Sequence, residues 1–166
     1  LGHVGRIVAE YCNAFHMTVL GYSHKLIEMC SVEQVDLDTL FRDSDIISLH
    51  VPLTDSTRHL INAETFSKMK PDALLINTSR GGTVDEAALI TALENKDISG
   101  ACLDVFETEP LKPDSPLRDL KNVLLTPHTA GLPDGIKYHK KRYAFFVRNI
   151  EKVMRHETPE CCLNTV

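Results

Sequence analysis

Three features of this sequence predict an α/β fold with a doubly wound, mostly parallel sheet. Short apolar segments alternate with helical patterns along the chain, as in repeated strand–helix units. The segments at 45–51 and 73–77 are rich in Ile, Leu and Val, as strands buried on both faces of a parallel sheet are. Two glycines, Gly2 and Gly5, directly precede the first predicted helix. We therefore expect helices on both faces of one sheet.

The predicted elements follow one another in regular order. Asp85 is placed to cap a helix, and Pro52 ends a strand because proline cannot donate to a ladder. The proline-rich stretch at 107–118 is predicted to be an ordered surface loop within a single domain. We predict helices at 6–15, 37–42, 63–69, 85–95 and 134–156, and strands at 17–22, 45–51, 73–77, 100–105 and 122–125.

Composition indicates an ordinary globular protein and excludes several classes of function. The 166 residues are 43% hydrophobic and 25% charged, with a net charge of −5. Such a chain has no basic field to attract nucleic acid or anionic lipid. No signal peptide or long apolar segment is visible, and neither the five cysteines nor the eight histidines show metal-ligand spacing. We expect a cytoplasmic protein with no nucleic-acid, membrane or metal partner.

The glycine turn at the start of the chain is the first candidate binding element. Its spacing fits the last two glycines of a Rossmann-type dinucleotide fingerprint, where the backbone approaches a pyrophosphate at a helix N-terminus. Gly2, His3, Val4 and Gly5 would then contact the cofactor. Two glycines three residues apart also fit an ordinary turn, and both interpretations stay open on this observation.

The same fingerprint leads to an expectation about the beginning of the chain. A strand normally feeds the first glycine, and none precedes Gly2. We therefore expect residues 1–166 to be a dinucleotide-binding domain with a C-terminal helix and tail, without the first strand and without an N-terminal substrate domain. We also expect this chain to fold poorly alone, because a central strand satisfies the ladder hydrogen bonds of both neighbours.

The tip of the first predicted strand bears on the choice between NAD and NADP. In the fingerprint, an acidic residue about 20 positions after the glycines binds the ribose hydroxyls. Here the tip is followed by Ser23, His24 and Lys25, with no acid. A hydroxyl with two basic side chains tolerates a 2′-phosphate better than a carboxylate does, so we expect NADP to be favoured slightly over NAD. The alternative is that Ser23 simply starts a turn.

Three polar stretches each follow a predicted strand and supply candidate catalytic residues. Arg80 lies in NTSRGG, Glu109 in DVFETEP and His128 in TPHTAG. Ligands bind at the carboxyl edge of an open α/β sheet, so we expect these side chains to converge on one cleft. Glu109 should lie within hydrogen-bonded or water-bridged reach of His128. Considered one at a time, each residue also fits a role without chemistry. Arg80 could be a surface charge, Glu109 a loop carboxylate and His128 a helix-cap histidine.

Five segments of the chain resemble the D-isomer-specific 2-hydroxyacid dehydrogenases. They are LGHVGR at 1–6, HVPLTDSTRHLIN at 50–62, INTSRGGTVDEAAL at 76–89, ACLDVFETEP at 101–110 and NVLLTPHTAG at 122–131. The last three together are highly specific. The resemblance implies an oxidoreductase that transfers a hydride between NAD(P)H and a 2-keto or D-2-hydroxy acid, dimeric when full-length. It does not identify the acid.

The resemblance also implies roles for individual residues. Arg80 would hold the substrate carboxylate and carbonyl oxygen, which suits a bidentate, permanently charged guanidinium. His128 would be the general acid in reduction and the base in oxidation, with Glu109 as its partner. Asp104 would contact the nicotinamide carboxamide. The other residues expected along the cofactor cleft are His50, Val51, Pro52, Thr57, Thr78, Ser79 and Gly131.

Two alternative functions stay open at this level. An NAD-sensing corepressor of the C-terminal-binding-protein type resembles these enzymes and keeps the same three residues. A peptide-binding N-terminal region and a nuclear context would distinguish it. A chain that has the family fold but lacks half of its cleft would instead be a catalytically inactive fragment of the dehydrogenase.

Overall fold

The chain is organised in two units, described here from a computed structural model. The first unit is Leu1–Thr129 and the second is Ala130–Val166. All strands of the described residues lie in the first unit, together with the three candidate catalytic residues. The described residues are 1–24, 27, 29–131 and 136–160.

The strands of the first unit form two parallel sheets. The smaller sheet pairs β1 (Leu20–Gly21) with β2 (Glu33–Gln34). Because every pairing in the larger sheet is also parallel, the carboxyl ends of its strands lie at one edge. The strands of that sheet, in spatial order, are β3 (Ile46–Leu49), β4 (Leu74–Asn77), β5 (Gly100–Leu103) and β6 (Val123–Leu125).

Side-chain caps fix where several of the helices begin. Asp36 accepts a hydrogen bond from the Thr39 amide, Asn62 caps the next helix, and Asp85 accepts from the Ala88 amide as predicted. Within the described residues the α-helices are α1 (His3–Ala14), α2 (Leu37–Asp43), α3 (Ala63–Phe66), α4 (Glu86–Asn95) and α5 (Ile136–Met154).

The observed elements differ from the predicted ones mainly at their ends. The strand predicted at 17–22 is reduced to two residues because its partner β2 has only two. The sequence did not predict β2, since both of its residues are exposed and show no apolar pattern. Helix α1 begins earlier than the predicted residue 6, because Gly2 has extended backbone and serves as its N-cap. The predicted loop at 107–118 ends in a short 3₁₀ helix, Pro116–Arg118.

Apolar side chains from strands and helices form the core on one face of the larger sheet. Ile47, Leu75 and Leu103 of the sheet are buried together with Phe66 of α3 and Leu89 of α4. Burying a side chain of this size contributes about 1.5–3 kcal/mol. This core gives the loops at the carboxyl edge a rigid base.

Helix α5 of the second unit carries an apolar stripe. Its members recur at helical spacing along one side, and each is more than half exposed. No helix in the described part of the chain combines the length and apolar content needed to cross a membrane. The stripe consists of Tyr143, Phe146, Val147, Ile150, Val153 and Met154.

Candidate active site

The loops at the carboxyl edge of the larger sheet line a cavity of about 580 Å³. Arg80 reaches it from the loop after β4, Glu109 from the loop after β5, and His128 from the segment after β6. The structure thus brings the three candidate catalytic residues together at the edge where α/β sheets bind ligands. The other lining residues are Leu53, Arg58, His59, Gly81, Gly82, Phe106, Glu107 and Thr108.

His128 is hydrogen-bonded to Glu109. The distance between His128 Nδ1 and Glu109 Oε2 is 2.6 Å, while Glu109 Oε1 accepts from the Phe106 amide at 3.0 Å. The hydrogen bond with His128 is the main cause that lowers the pKa of Glu109 below its ordinary value. An ionised carboxylate only accepts hydrogen bonds, so the shared proton belongs to Nδ1. The Nε2 atom is then free to exchange a proton with a ligand.

The backbone around His128 is held by Asp104. His128 has a φ of 54°, a left-handed conformation that a non-glycine residue keeps only where its surroundings fix it. Its amide donates to the Asp104 carbonyl at 2.9 Å. The buried Asp104 Oδ1 accepts from Thr126 Oγ1 at 2.5 Å and from the Thr129 amide at 2.8 Å. Asp104 therefore fixes the segment on both sides of His128.

Arg80 is positioned through its backbone. The buried Asn77 donates to the Arg80 carbonyl at 3.0 Å and accepts from the Ser79 amide at 3.1 Å. Thr83 Oγ1 donates to the same carbonyl at 2.7 Å. The guanidinium donates to the Ser79 carbonyl at 2.7 Å, and in the part of the chain that the structure describes it pairs with no carboxylate. It is therefore available to an anionic ligand.

Gly81 brings the loops after β4 and β5 into direct contact. A Cβ at this position would lie 1.9 Å from the carbonyl carbon and oxygen of Phe106, so a larger residue would force the loops apart. The contact sets the spacing between Arg80 and the loop that carries Glu109. The double glycine after Arg80 is the sequence signal for it, although sequence reasoning did not assign it a role.

The cavity holds a second histidine–glutamate pair that the sequence did not predict. His59 Nε2 lies 2.7 Å from Glu107 Oε1. The two residues come from separate segments, and nothing in their spacing indicates that they meet. Across the described ranges, no group of three or more His, Cys, Asp or Glu side chains is placed to hold a metal ion.

The start of α1 offers the features of an anion site. Gly2, His3, Val4 and Gly5 form the N-cap and first turn, and no side chain among the described residues caps this end. The first amides of an α-helix have no partner inside the helix, and its dipole favours a negative charge there. A Cβ added at Gly2 would meet no atom within 4 Å, so the space beside the turn is open.

The loop after β3 is tied down through its carbonyl groups. Ser79 Oγ donates to the Val51 carbonyl, and Thr57 Oγ1 donates to the Pro52 carbonyl at 2.6 Å. His50, just before them, is half-buried, and burial is the main cause that lowers the pKa of its imidazole. These contacts place the loop beside the one that carries Arg80.

The tip of β1 presents Ser23 and His24. His24 Nδ1 lies 3.4 Å from the Tyr22 hydroxyl, and the two rings meet edge to face with centroids 5.5 Å apart. Lys25, the third residue expected there, lies outside the described residues. The last two residues expected along the cofactor cleft, Thr78 and Gly131, are exposed.

Sequence comparison decides the family. Residues 1–130 match the family described as D-isomer specific 2-hydroxyacid dehydrogenase, NAD binding domain. The chain belongs to this family. The predicted family is thereby confirmed. The predicted parallel α/β fold is confirmed as well, because two solved structures match 96% and 99% of this chain with TM-scores of 0.88 and 0.89.

Three relatives show the extent of the similarity. The chain is 43% identical over 169 residues to a glyoxylate reductase of Thermofilum pendens, covering 99% of this chain and 49% of that protein. The NAD+ complex of D-lactate dehydrogenase from Lactobacillus jensenii matches with a TM-score of 0.89 at 32% identity, covering 99% and 54% of the two chains. An NADPH-dependent glyoxylate/hydroxypyruvate reductase from Sinorhizobium meliloti, in complex with NADP and sulfate, matches with a TM-score of 0.86 at 30% identity, covering 96% and 52%. The chain thus spans about half the length of these relatives.

Proposed function

We propose that the protein reduces 2-keto acids to D-2-hydroxy acids, and catalyses the reverse oxidation, with NAD(P) as the hydride carrier. The observation that carries this proposal is the meeting of Arg80 with the His128–Glu109 pair in one cavity. The glyoxylate reductase among the relatives supports a small 2-keto acid as substrate.

The three side chains divide the chemistry among themselves. The Arg80 guanidinium binds the substrate carboxylate through parallel hydrogen bonds and orients the carbonyl oxygen. His128 donates the proton on Nε2 to that oxygen during reduction and removes it during oxidation. Glu109 holds the imidazole in the required tautomer and stabilises the imidazolium form. The nicotinamide, when bound, supplies or accepts the hydride.

The residues at the carboxyl edge fit a dinucleotide. Gly2, His3, Val4 and Gly5 would hold the pyrophosphate, since open space lies beside an uncapped helix N-terminus. Asp104 would contact the nicotinamide carboxamide, as the family resemblance implies. The remaining residues that we assign to the cofactor are His50, Val51, Pro52, Thr57, Thr78, Ser79 and Gly131.

We assign a slight preference for NADP to the tip of β1. Ser23 and His24 follow β1, where the dinucleotide fingerprint would have a carboxylate to bind the ribose hydroxyls of NAD. A carboxylate there would repel a 2′-phosphate. Steady-state kinetics of the protein made from its complete reading frame should give a kcat/KM with NADPH at least equal to that with NADH. A strong preference for NADH would contradict the assignment.

The test of the proposed activity uses the same protein. Oxidation of NADPH or NADH is followed with glyoxylate, hydroxypyruvate and pyruvate, and the chirality of the reduced pyruvate is determined. We expect turnover with at least one of these acids and D-lactate from pyruvate. Dinucleotide binding without turnover on any 2-keto acid would refute the dehydrogenase and favour a sensing role such as that of an NAD-dependent corepressor.

We further infer a reducing compartment, the cytoplasm, and a homodimer. The described cysteines, Cys12, Cys30 and Cys102, are free thiols, as expected where disulfides are kept reduced. The dimer rests on the family resemblance. Light scattering coupled to size-exclusion chromatography should give twice the chain mass, and a monomer at micromolar concentration would contradict it.

A further inference from the structure

The His59–Glu107 pair occupies the same cavity as the proposed catalytic residues. Its Nε2–Oε1 distance is 2.7 Å, comparable to the 2.6 Å between His128 and Glu109. Both pairs therefore bring an imidazole nitrogen next to a carboxylate oxygen at the edge of the site. The role of His128 follows from the proposed chemistry, whereas nothing in that chemistry uses His59.

Backbone contacts hold this second pair in place from both sides. The His59 amide donates to the Gly82 carbonyl at 2.9 Å, and His59 has a left-handed φ of 50°. Glu107 Oε1 also accepts from the Glu86 amide at 3.4 Å, and the Glu107 amide donates to Glu86 Oε2 at 3.3 Å. The imidazole and the carboxylate are thus directed toward each other by the loops that carry them.

Among the titratable side chains of the cavity, the glutamates have histidine partners and the arginines have no carboxylate partner within the part of the chain that the structure describes. Its lining includes two arginines, two glutamates and two histidines. Each glutamate is paired with a histidine. Neither arginine, Arg58 or Arg80, forms an ion pair with a carboxylate anywhere in the described ranges. The cavity therefore presents two guanidinium groups that have no anionic partner among the described residues.

Glu107 is the carboxylate that would otherwise compete for Arg80. The residue after Arg80, Gly81, packs against the Phe106–Glu107 peptide, with the Glu107 nitrogen 2.5 Å from the position of an added Cβ. A guanidinium and a carboxylate that come into contact form strong, often bidentate hydrogen bonds. A Glu107 side chain released from His59 would therefore pair with the Arg80 guanidinium, which the substrate carboxylate needs to bind.

We propose that His59 is a positioning residue that holds Glu107 away from Arg80 and so keeps Arg80 open to the carboxylate of the substrate. This inference rests on the proposed function, because that function assigns the substrate carboxylate to Arg80. His59 acts on substrate affinity and takes no part in proton transfer.

The experiment is a double-mutant cycle in the protein made from its complete reading frame. We expect His59→Ala to raise the KM for glyoxylate about three- to tenfold, since a released Glu107 competes through a charge-assisted pair, with kcat nearly unchanged. Glu107→Gln should leave KM close to the wild-type value. The double variant should return to the KM of Glu107→Gln, because the competing charge is gone. A double variant as impaired as His59→Ala would show a structural role and overturn the proposal.

Two further measurements keep the outcome decisive. His59→Gln, whose amide can still donate to Glu107, should behave like the wild type, and a tenfold rise in its KM would overturn the proposal. Calorimetry with oxamate in the presence of the dinucleotide measures binding without turnover. The affinities of the variants for oxamate should follow the same order as their KM values, with His59→Ala the weakest. A wild-type protein that reduces no 2-keto acid would refute the proposed function, whereas equal oxamate affinity in the wild type and His59→Ala would refute this inference alone.

Discussion

The Asp104 carboxylate accepts a hydrogen bond from the Thr129 amide at 2.8 Å, directly after the residue that we propose as the general acid. The same oxygen accepts from Thr126 Oγ1. One buried side chain thus holds the segment that presents His128, and the position of the imidazole depends on a residue one strand away.

Replacing Asp104 tests this dependence through stability. Asp104→Ala leaves the Thr129 amide and the Thr126 hydroxyl without their acceptor, so we expect the free energy of unfolding to fall by about 1–3 kcal/mol. Urea denaturation followed by circular dichroism measures it. Glu94→Ala, an exposed change on α4, is the control and should stay within about 0.5 kcal/mol of the wild type. Equal losses in the two variants would contradict the role of Asp104.

Replacing His128 tests the chemistry. His128→Gln keeps a side chain that can hydrogen-bond Glu109 but removes the transferable proton, so we expect kcat to fall about 10²- to 10⁴-fold. The KM for the keto acid should change far less, because Arg80 supplies the contact with the carboxylate. Retention of more than a tenth of the wild-type kcat would argue against His128 as the general acid.

The lowered pKa of Glu109 predicts how stability depends on pH. A carboxyl group whose pKa is lower in the folded state contributes stability above its unfolded pKa of about 4.3, and that contribution is lost as pH falls through the folded value. The main cause of the lowering is the hydrogen bond with His128. We therefore expect the melting temperature of the wild type to exceed that of Glu109→Gln at mildly acidic pH, with the difference shrinking under stronger acid. A difference in melting temperature that grows as the pH falls would contradict this prediction.

Gly81 makes a steric prediction. In Gly81→Ala the new methyl group would meet the Phe106 carbonyl at 1.9 Å, and overpacking of this kind costs about 1–3 kcal/mol of stability. Gly131→Ala is the matched control, because a Cβ there meets no atom within 4 Å. Thermal melts of the two variants should therefore diverge, and equal melting temperatures would show that the loops after β4 and β5 move apart at little cost.

Much of the fold follows from local sequence signals. The apolar segments that became β3, β4, β5 and β6 were predicted as strands because they are largely apolar, as the strands of a parallel sheet are. The expected burial on both faces is not observed: Ile46, Leu74 and Leu124 on one face are exposed, while Ile47 and Leu75 on the other face are buried. The β2 strand was not predictable in this way, since its two exposed residues are defined by hydrogen bonds to β1 and not by their side chains.

Some contacts of the site could likewise be predicted from local sequence, and others could not. The meeting of Arg80, Glu109 and His128 was expected because each follows a strand of one parallel sheet, and the direction of the strands brings their ends together. The His59–Glu107 contact depends on the path of a loop, and the Gly81 contact depends on the distance between two loops. A local sequence pattern predicts neither the path of a loop nor the distance between two loops.

The apolar stripe on α5 has a consequence for how the chain behaves with temperature. Contacts between such surfaces are driven by the release of water, and this driving force weakens on cooling. Exposed apolar area of this extent promotes association between molecules. Light scattering from these 166 residues should therefore increase when a cold sample is warmed to room temperature and decrease again on cooling. Phe146→Glu, in the middle of the stripe, should reduce this change in scattering.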